Sequence, residues 1–255
     1  MTPIVIIPAR MASTRLPGKP LLPIANVPFV ERQLTWLAGH GVTEVTLSLG
    51  YLPDAFHEHF VGDRFGSMKL RYAVEEEPLG TAGAIRFAAD GIDERIVVCN
   101  GDVLTDLDLA EMLTFHEDRG AEATIALTRV EDPSAFGVVP TRDDGEVIAF
   151  VEKPPPGQAP TDWINAGTYI LEPSVLARIP ADLNVSIERE TFPRMLERAQ
   201  FDASELSLAS YTILRGKGDT RFVAIPVALS KLFRHSCIYV RKGAGISSPA
   251  DLKGK

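Results

Sequence analysis

Residues 4–49 read IVIIPARMASTRLPGKPLLPIANVPFVERQLTWLAGHGVTEVTLSL, and this stretch decides the fold. It begins with a short apolar run, Ile4 to Ile7, and ends with another, Val45 to Leu49, while an amphipathic segment from Phe29 to Ala38 lies between them. Short β-branched runs joined by a helical segment are typical of a βαβ unit, in which two parallel strands flank a helix. The stretch therefore predicts the start of a parallel sheet.

The same alternation continues as far as residue 127. The further predicted elements are a helix at Asp54–Phe60, a strand at Leu70–Val74, a helix at Thr81–Ala89, a strand at Arg95–Cys99, a helix at Asp108–Arg119 and a strand at Thr124–Leu127. Such alternation predicts a doubly wound α/β fold with a mostly parallel sheet and helices on both faces. Ligands are then expected beyond the carboxyl ends of the strands.

From about residue 135 the pattern changes to short strands and turns, in FGVVP, GEVIAFVEKP and INAGTYIL. This pattern predicts a β-rich insertion laid over the parallel sheet. The proline-dense run from Pro154 to Pro160 predicts an exposed loop. A helix is predicted from Ile187 to Arg198.

The composition argues against several classes of protein. The 255 residues carry a net charge of −8, which disfavours general binding of nucleic acid. Two cysteines, Cys99 and Cys237, form neither a metal-binding spacing nor a disulfide framework, and they are typical of a cytoplasmic protein. The sequence predicts no signal peptide and no membrane span, and it gives no indication of the oligomeric state.

A change in charge near Gln200 predicts two domains, residues 1–199 and a segment of different origin, residues 200–255. After Gln200 there are 9 lysines and arginines and 4 acidic residues, whereas acidic residues outnumber basic ones before it.

The loop PARMASTRLPGKPL follows the first predicted strand. Its small residues let backbone N–H groups approach a triphosphate, and Arg15 and Lys19 supply the positive charge that phosphoryl transfer requires. The alternative is a loop with two solvated cations. The predicted nucleotide contacts in this loop are Pro8, Ala9, Arg10 and Ser13.

A second loop, EEEPLGTAGAI, joins a predicted strand to a predicted helix. Free N–H groups at such a junction suit the planar edge of a base. The alternative is a plain helix start that is capped by Thr81. The three glutamates are interpreted as a solvated run.

The apolar run IVVC places Asp102 just beyond the end of a strand. A carboxylate at that point can ligate Mg²⁺ that bridges phosphates. Asp108 is interpreted as the N-cap of the next helix. The five histidines show no metal-site spacing and are interpreted as structural.

Leu21 to about Arg198 resembles the bacterial mannose-1-phosphate guanylyltransferases, a family of Rossmann-like nucleotide-diphospho-sugar transferases. The matching strings are KPLLPIANVPF, EEEPLGTAGAIR, VVCNGDVLTDLDL, FGVVP, FVEKP and WINAGTYIL. The resemblance implies nucleotide contacts by Gly80, Thr81 and Ala82, and Mg²⁺ on Asp102. It also implies that Lys153 holds the sugar phosphate and that Gly137, Glu152 and Asn165 contact the sugar. Taken singly, Lys153 is also explained as a strand-edge charge and Asn165 as a turn residue.

Two other parts resemble other families. The opening loop, residues 1–20, resembles CMP-Kdo synthetase, a cytidylyltransferase in which the arginine and the lysine grip the phosphates. The tail string FRHSCIYVRKGAGISSPADLKGK resembles 4,5-dihydroxyphthalate decarboxylase, a periplasmic-binding-protein-like family. These resemblances imply a chimeric or designed chain with junctions near Pro20 and Gln200.

The expected reaction joins a nucleoside triphosphate to a sugar-1-phosphate and releases pyrophosphate. The first expectation is GTP with mannose-1-phosphate, followed by glucose-1-phosphate with dTTP or UTP. One alternative is a cytidylyltransferase like CMP-Kdo synthetase, and another is an impaired chimera that only binds nucleotide. The second alternative rests on an absence, since the WxDxG-like string that carries the guanylyltransferases' second metal-ligating aspartate does not occur in this sequence.

Overall fold

The computed structural model describes residues 3–9, 18–50, 54–199, 203–207, 222–225 and 236–241. The chain divides into two compact units, Met1–Arg194 and Met195–Lys255. The predicted domain boundary after residue 199 remains a prediction. Among the described residues, no helix is both long enough and apolar enough to cross a membrane.

The described part contains fourteen strands and six α-helices. The strands are β1 (Ile4–Pro8), β2 (Pro23–Ile24), β3 (Val27–Pro28), β4 (Glu44–Leu49), β5 (Arg64–Phe65), β6 (Met68–Val74), β7 (Ile96–Cys99), β8 (Ala123–Arg129), β9 (Gly137–Val138), β10 (Val151–Glu152), β11 (Trp163–Leu171), β12 (Ala203–Ser207), β13 (Phe222–Ile225) and β14 (Ser236–Arg241). The helices are α1 (Phe29–Gly39), α2 (Asp54–His59), α3 (Gly80–Ala88), α4 (Leu109–Arg119), α5 (Pro173–Leu176) and α6 (Phe192–Ala199).

The main sheet of the first unit has nine strands in the order β10-β9-β11-β7-β1-β4-β6-β5, and β8 pairs with β11 off this path. Its centre is parallel, because β1 pairs in parallel with both β4 and β7, and β4 pairs in parallel with β6. The chain builds outward from β1 to β4 and β6, and then crosses to the other side of β1 for β7. The gap between the ends of β1 and β7 is therefore the switch point at which such sheets bind ligands.

Helices cover both faces of this sheet, as the alternation predicts. Side chains alternate between the two faces along a strand, and Val5 and Ile7 of β1 pack with Leu34 of α1 in one buried cluster that also includes residues of α2 and α4. On the opposite face α3 contacts β1, β4 and β6, and the Ser48 Oγ lies 3.5 Å from the Ala84 carbonyl oxygen. The prediction of a doubly wound α/β fold is confirmed.

The longest strand, β11, contains a bulge. Asn165 pairs with Leu127 of β8, but the next pair along the strand is Tyr169 with Ile125, so three residues of β11 face one residue of β8. Gly167 lies inside the bulge with φ of +72°, a value that glycine adopts at little cost. Because the Asn100 N–H donates to the Gly167 carbonyl at 2.8 Å, the bulge is held against the end of β7.

The helix predicted from Ile187 to Arg198 begins differently from the expectation. Its first turn, Ile187–Thr191, is a π-turn, and α6 follows at Phe192. Pro193 explains part of the difference, since proline has no N–H to donate to the preceding turn. The predicted loop from Pro154 to Pro160 contains neither helix nor strand.

The strands of the second unit form their own three-stranded antiparallel sheet, in which β14 pairs with both β12 and β13.

Candidate active site

A cation and a carboxylate meet at the switch point between β1 and β7. Lys19 begins a single turn of 3-10 helix after Gly18, and Asp102 follows β7. The Lys19 Nζ lies 3.0 Å from Asp102 Oδ2, with 33% and 58% of the two side chains exposed. An ion pair this open to solvent contributes little to stability. Both charges are therefore accessible to an incoming ligand.

Close contact between the two strand ends depends on Gly101. Its N–H donates to the Pro8 carbonyl at 3.2 Å. A Cβ at position 101 would lie 3.0 Å from the Cα of Ala9 and closer still to the Pro8 carbonyl oxygen. The absence of a side chain here lets β1 and β7 approach each other and fixes the position from which Asp102 projects.

The first predicted loop is described only in part. Pro8 ends β1, and Ala9 is buried with its N–H donating to the Ser48 carbonyl at 2.8 Å. That N–H is therefore occupied within the protein, and the predicted contacts of Pro8 and Ala9 with the nucleotide remain predictions. Arg10, Ser13 and Arg15 lie outside the described residues, so their roles remain predictions.

Glu75 is buried, which corrects the interpretation of the three glutamates as a solvated run; Glu76 and Glu77 are exposed. The Glu75 carboxylate accepts from the Ser48 hydroxyl at 3.2 Å and from the Leu79 N–H at 3.0 Å. Glu75 thus holds the loop that leads into α3.

The start of α3 packs against residues 185–188. Leu79 is the N-cap and its side chain makes no capping hydrogen bond, so the interpretation of Thr81 as the helix cap is wrong. The Ala82 N–H donates to the Val185 carbonyl at 2.9 Å, and a Cβ at Gly80 would lie 2.7 Å from the Val185 nitrogen. The N–H of Ala82 is therefore not free for a base, and the roles of Gly80, Thr81 and Ala82 remain predictions.

The residues predicted to bind the sugar lie on the antiparallel side of the sheet. Gly137 pairs with Glu152 between β9 and β10, and a Cβ at Gly137 would lie 2.8 Å from Phe150 Cε1 and 3.2 Å from Glu152 Oε2. Gly137 therefore makes room for the Phe150 ring and the Glu152 carboxylate. Lys153 Nζ lies 4.0 Å from Glu152 Oε1, and Arg189, which the sequence analysis missed, donates to the same oxygen at 3.2 Å. Two cations thus flank one carboxylate.

Lys153 has a strained backbone, with φ of +48°. A side chain in this left-handed region costs about 1 kcal/mol that glycine does not incur. We expect Lys153→Gly to have a free energy of unfolding about 1 kcal/mol larger than that of Lys153→Ala, and so to unfold at a higher urea concentration. Both variants lose the ammonium group, and both are expected to bind sugar phosphate more weakly. Urea titration followed by circular dichroism checks the first expectation. Equal stability of the two variants would show that the strain is relieved elsewhere.

Asn165 lies at the mouth of the β11 bulge, with both ends of its side-chain amide in hydrogen bonds. Its Oδ1 accepts from the Gly167 N–H at 2.9 Å, and its Nδ2 donates to the Tyr169 hydroxyl at 2.7 Å. Asn165 lies within strand β11, beside its bulge, so its interpretation as a turn residue is wrong. Its predicted contact with the sugar remains a prediction.

Three of the histidines have carboxylate or hydroxyl partners. His57 lies 3.0 Å from Asp63, His59 lies 2.6 Å from Glu31, and His116 contacts Thr124 and Glu172. Within the described part of the chain, no group of three histidine, cysteine or acidic side chains is arranged to hold a metal ion.

Comparison with known proteins agrees with this arrangement of strands and loops. The profile of the family described as "Nucleotidyl transferase" matches residues 13–211. The chain belongs to this family. It is 43% identical over 179 residues to a mannose-1-phosphate guanylyltransferase of Mycobacterium tuberculosis, and the alignment covers 70% of this chain and 49% of that protein. It is 38% identical over 236 residues to a probable mannose-1-phosphate guanylyltransferase 2 of rice, covering 89% of this chain and 63% of that protein. The nucleotidyl transferase chain thus spans about half to two thirds of the length of these relatives.

Several solved structures are similar to most of the chain. The crystal structure of HddC from Yersinia pseudotuberculosis has a TM-score of 0.64 and 31% identity, covering 76% of this chain and 86% of that one. A structure of the same protein complexed with GMP-PN has a TM-score of 0.65 and 30% identity. A UDP-glucose pyrophosphorylase complexed with UDP-glucose has a TM-score of 0.66 at 20% identity, and it supports the fold alone.

The family match crosses both predicted junctions, near Pro20 and near Gln200, because it runs from residue 13 to residue 211. The comparisons support neither the CMP-Kdo synthetase-like origin of the opening loop nor the decarboxylase-like origin of the tail. The prediction of a chimeric nucleotidyl transferase is therefore corrected to a chain that matches one family across both positions.

Proposed function

We propose that this chain transfers a nucleotidyl group from GTP to mannose-1-phosphate, forming GDP-mannose and releasing pyrophosphate. The contact between Lys19 and Asp102 carries the proposal, because it places a cation and a potential metal ligand together at the ligand-binding switch point. The names of the mycobacterial and rice relatives support the choice of substrates. The GMP-PN complex of HddC supports a guanine nucleotide. The low cysteine content supports a cytoplasmic location.

The reaction requires positioning and neutralisation of charge. A phosphate oxygen of the sugar-1-phosphate attacks the α-phosphorus, forms the new P–O bond, and displaces pyrophosphate. The attacking phosphate is already ionised at neutral pH, so no general base is needed. Lys19, together with Arg15, would neutralise charge on the triphosphate, while Lys153 would hold the sugar phosphate. Arg189 adds a further cation beside Glu152.

Asp102 fits the role of a magnesium ligand. Mg²⁺ in nucleotide sites is commonly held by one or two carboxylates together with substrate phosphates, and the Asp102 carboxylate is exposed and pairs with Lys19. When bound, the ion would reduce the repulsion between the anionic substrates. Lys19 would then turn from Asp102 to the phosphates.

A pyrophosphate-release assay across substrate pairs tests the proposal. GTP, dTTP, UTP and CTP are each combined with mannose-1-phosphate, glucose-1-phosphate and Kdo in magnesium buffer. We expect the pair of GTP and mannose-1-phosphate to give the highest kcat/KM, by about tenfold or more, since base and sugar contacts discriminate on this scale. Preference for CTP with Kdo would contradict the proposed substrates. Nucleotide binding without release from any pair would contradict transfer itself.

A further inference from the structure

A hydrogen-bonded network centred on Glu188 joins the segments to which the candidate site residues belong. Glu188 Oε2 accepts from the Thr81 hydroxyl at 2.9 Å, and Oε1 accepts from the Tyr169 hydroxyl at 3.2 Å. Thr81 is a predicted nucleotide contact. Tyr169 in turn accepts from Asn165 at 2.7 Å and from Asn100 at 3.3 Å. Asn165 is a predicted sugar contact, and Asn100 lies two residues before Asp102.

The direction of each hydrogen bond follows from the donors. Because the Gly167 N–H donates to Asn165 Oδ1, the NH₂ group of Asn165 faces Tyr169. The Tyr169 hydroxyl accepts from both amides, so its single proton is donated to Glu188. Burial, followed by the negative charge of Glu188, raises the pKa of Tyr169 above its ordinary value. The proton therefore stays on the tyrosine.

Thr81 is held from both sides as well. Its hydroxyl donates to Glu188 and accepts from the Ile187 N–H at 2.8 Å. Thr81 and Glu188 are 107 positions apart in the chain. The two oxygens of one carboxylate thus fix the start of α3 and, through Tyr169, the side chain of Asn165.

We propose that Glu188 is a positioning residue that couples the nucleotide loop to the sugar pocket, so that each substrate raises the affinity for the other. This inference rests on the proposed function. A nucleotide that orders Thr81 also orders Glu188, Tyr169 and Asn165, and the sugar phosphate then meets an arranged pocket. The carboxylate acts through Thr81 and Tyr169 rather than through contact with substrate.

Glu188→Gln tests this bridging with almost no change in shape. A side-chain amide has one accepting oxygen, so it keeps the bond from Thr81 or the bond from Tyr169 but not both. The measurement is the Kd of mannose-1-phosphate by titration calorimetry, in magnesium buffer, with and without the α,β-methylene analogue of GTP. The ratio of interest is the Kd of mannose-1-phosphate without the analogue divided by its Kd with the analogue. We expect this ratio to be about five in the wild type and near one in Glu188→Gln.

Glu190→Gln is the matched control. Glu190 lies in the same turn, but it accepts from Arg194 at 3.0 Å and from the Ser186 N–H at 3.3 Å. We expect this variant to keep the wild-type ratio. Thr81→Ser, which retains the hydroxyl, is expected to keep it as well, whereas Thr81→Val is expected to lose it. If Glu188→Gln does not fold, Tyr169→Phe removes the other arm of the bridge and is expected to show the same loss.

A folded Glu188→Gln variant with the wild-type ratio would overturn the proposal, as would a wild-type ratio of one. The wild-type pyrophosphate assay separates this result from the proposed function. Transfer without coupling overturns only the role of Glu188. Coupled binding of both ligands without transfer overturns only the reaction, and absence of mannose-1-phosphate binding overturns both.

Discussion

Replacement of Asp102 by asparagine is expected to lower kcat/KM for pyrophosphate release by on the order of 10³-fold, because it neutralises the carboxylate that we propose as a magnesium ligand beside the transferred nucleotidyl group. The half-saturating Mg²⁺ concentration is expected to rise in the same variant. Both quantities come from steady-state assays over a magnesium titration. The carboxylate is exposed and lies outside the buried cluster, so stability should change little.

Two variants make the interpretation of Asp102 specific. Asp106→Asn makes the same change four positions later at an exposed residue, and it is expected to behave as the wild type. Lys19→Met removes the partner of Asp102 and should reduce turnover without changing the magnesium midpoint. If Asp102→Asn also left that midpoint unchanged, Asp102 would act only by orienting Lys19.

Replacement of Gly101 by alanine is expected to lower the free energy of unfolding by about 3 kcal/mol, since overpacking against immovable backbone is among the severe core changes. The added methyl would meet the Pro8 carbonyl and the Ala9 Cα, both held by hydrogen bonds to neighbouring strands or loops. Because Asp102 follows directly, loss of transfer should accompany loss of stability. Urea unfolding and the pyrophosphate assay measure the two effects.

Gly39→Ala is the control for the glycine substitution. Gly39 ends α1, and a Cβ there would meet nothing within 4 Å. Alanine is the better helix former by up to about 1 kcal/mol, so this variant should be at least as stable as the wild type. An unfolding midpoint of Gly101→Ala equal to that of the wild type would show that β1 and β7 can separate without loss.

The parallel core could be predicted from the sequence because its strands are buried on both faces. Such strands are rich in apolar residues. Ile4 to Ile7 is apolar throughout, Val45 to Leu49 carries small hydroxyl residues only at Thr46 and Ser48, and both runs lie within strands of the structure. The same reasoning placed Asp102 beyond a strand end and Asp108 at a helix N-cap, where its carboxylate accepts from two backbone N–H groups.

The contacts that organise the site could not be predicted in this way, because they join distant parts of the chain. Glu75 stands in a row of three glutamates, and nothing local distinguishes the buried one from the exposed pair. Glu188 accepts a hydrogen bond from Thr81, which lies 107 positions away in the chain. The bulge in β11 did leave a signal, since the glycine of NAG interrupts an otherwise apolar strand. Position 80 must be glycine because a side chain there would collide with the Val185 backbone. The sequence pattern, which we interpreted as base binding, does not show this contact.

The position of β11 also limits how new acceptor specificities can arise. This strand pairs with β7 of the parallel centre, and with β8 and β9 on the side where we propose that the sugar binds. A recombination event that exchanged the antiparallel strands β8 to β11 between relatives would therefore also replace β11, the strand that pairs with β7 of the parallel centre. Acceptor preference should diversify by single substitutions around a retained β11 more readily than by exchange of whole segments.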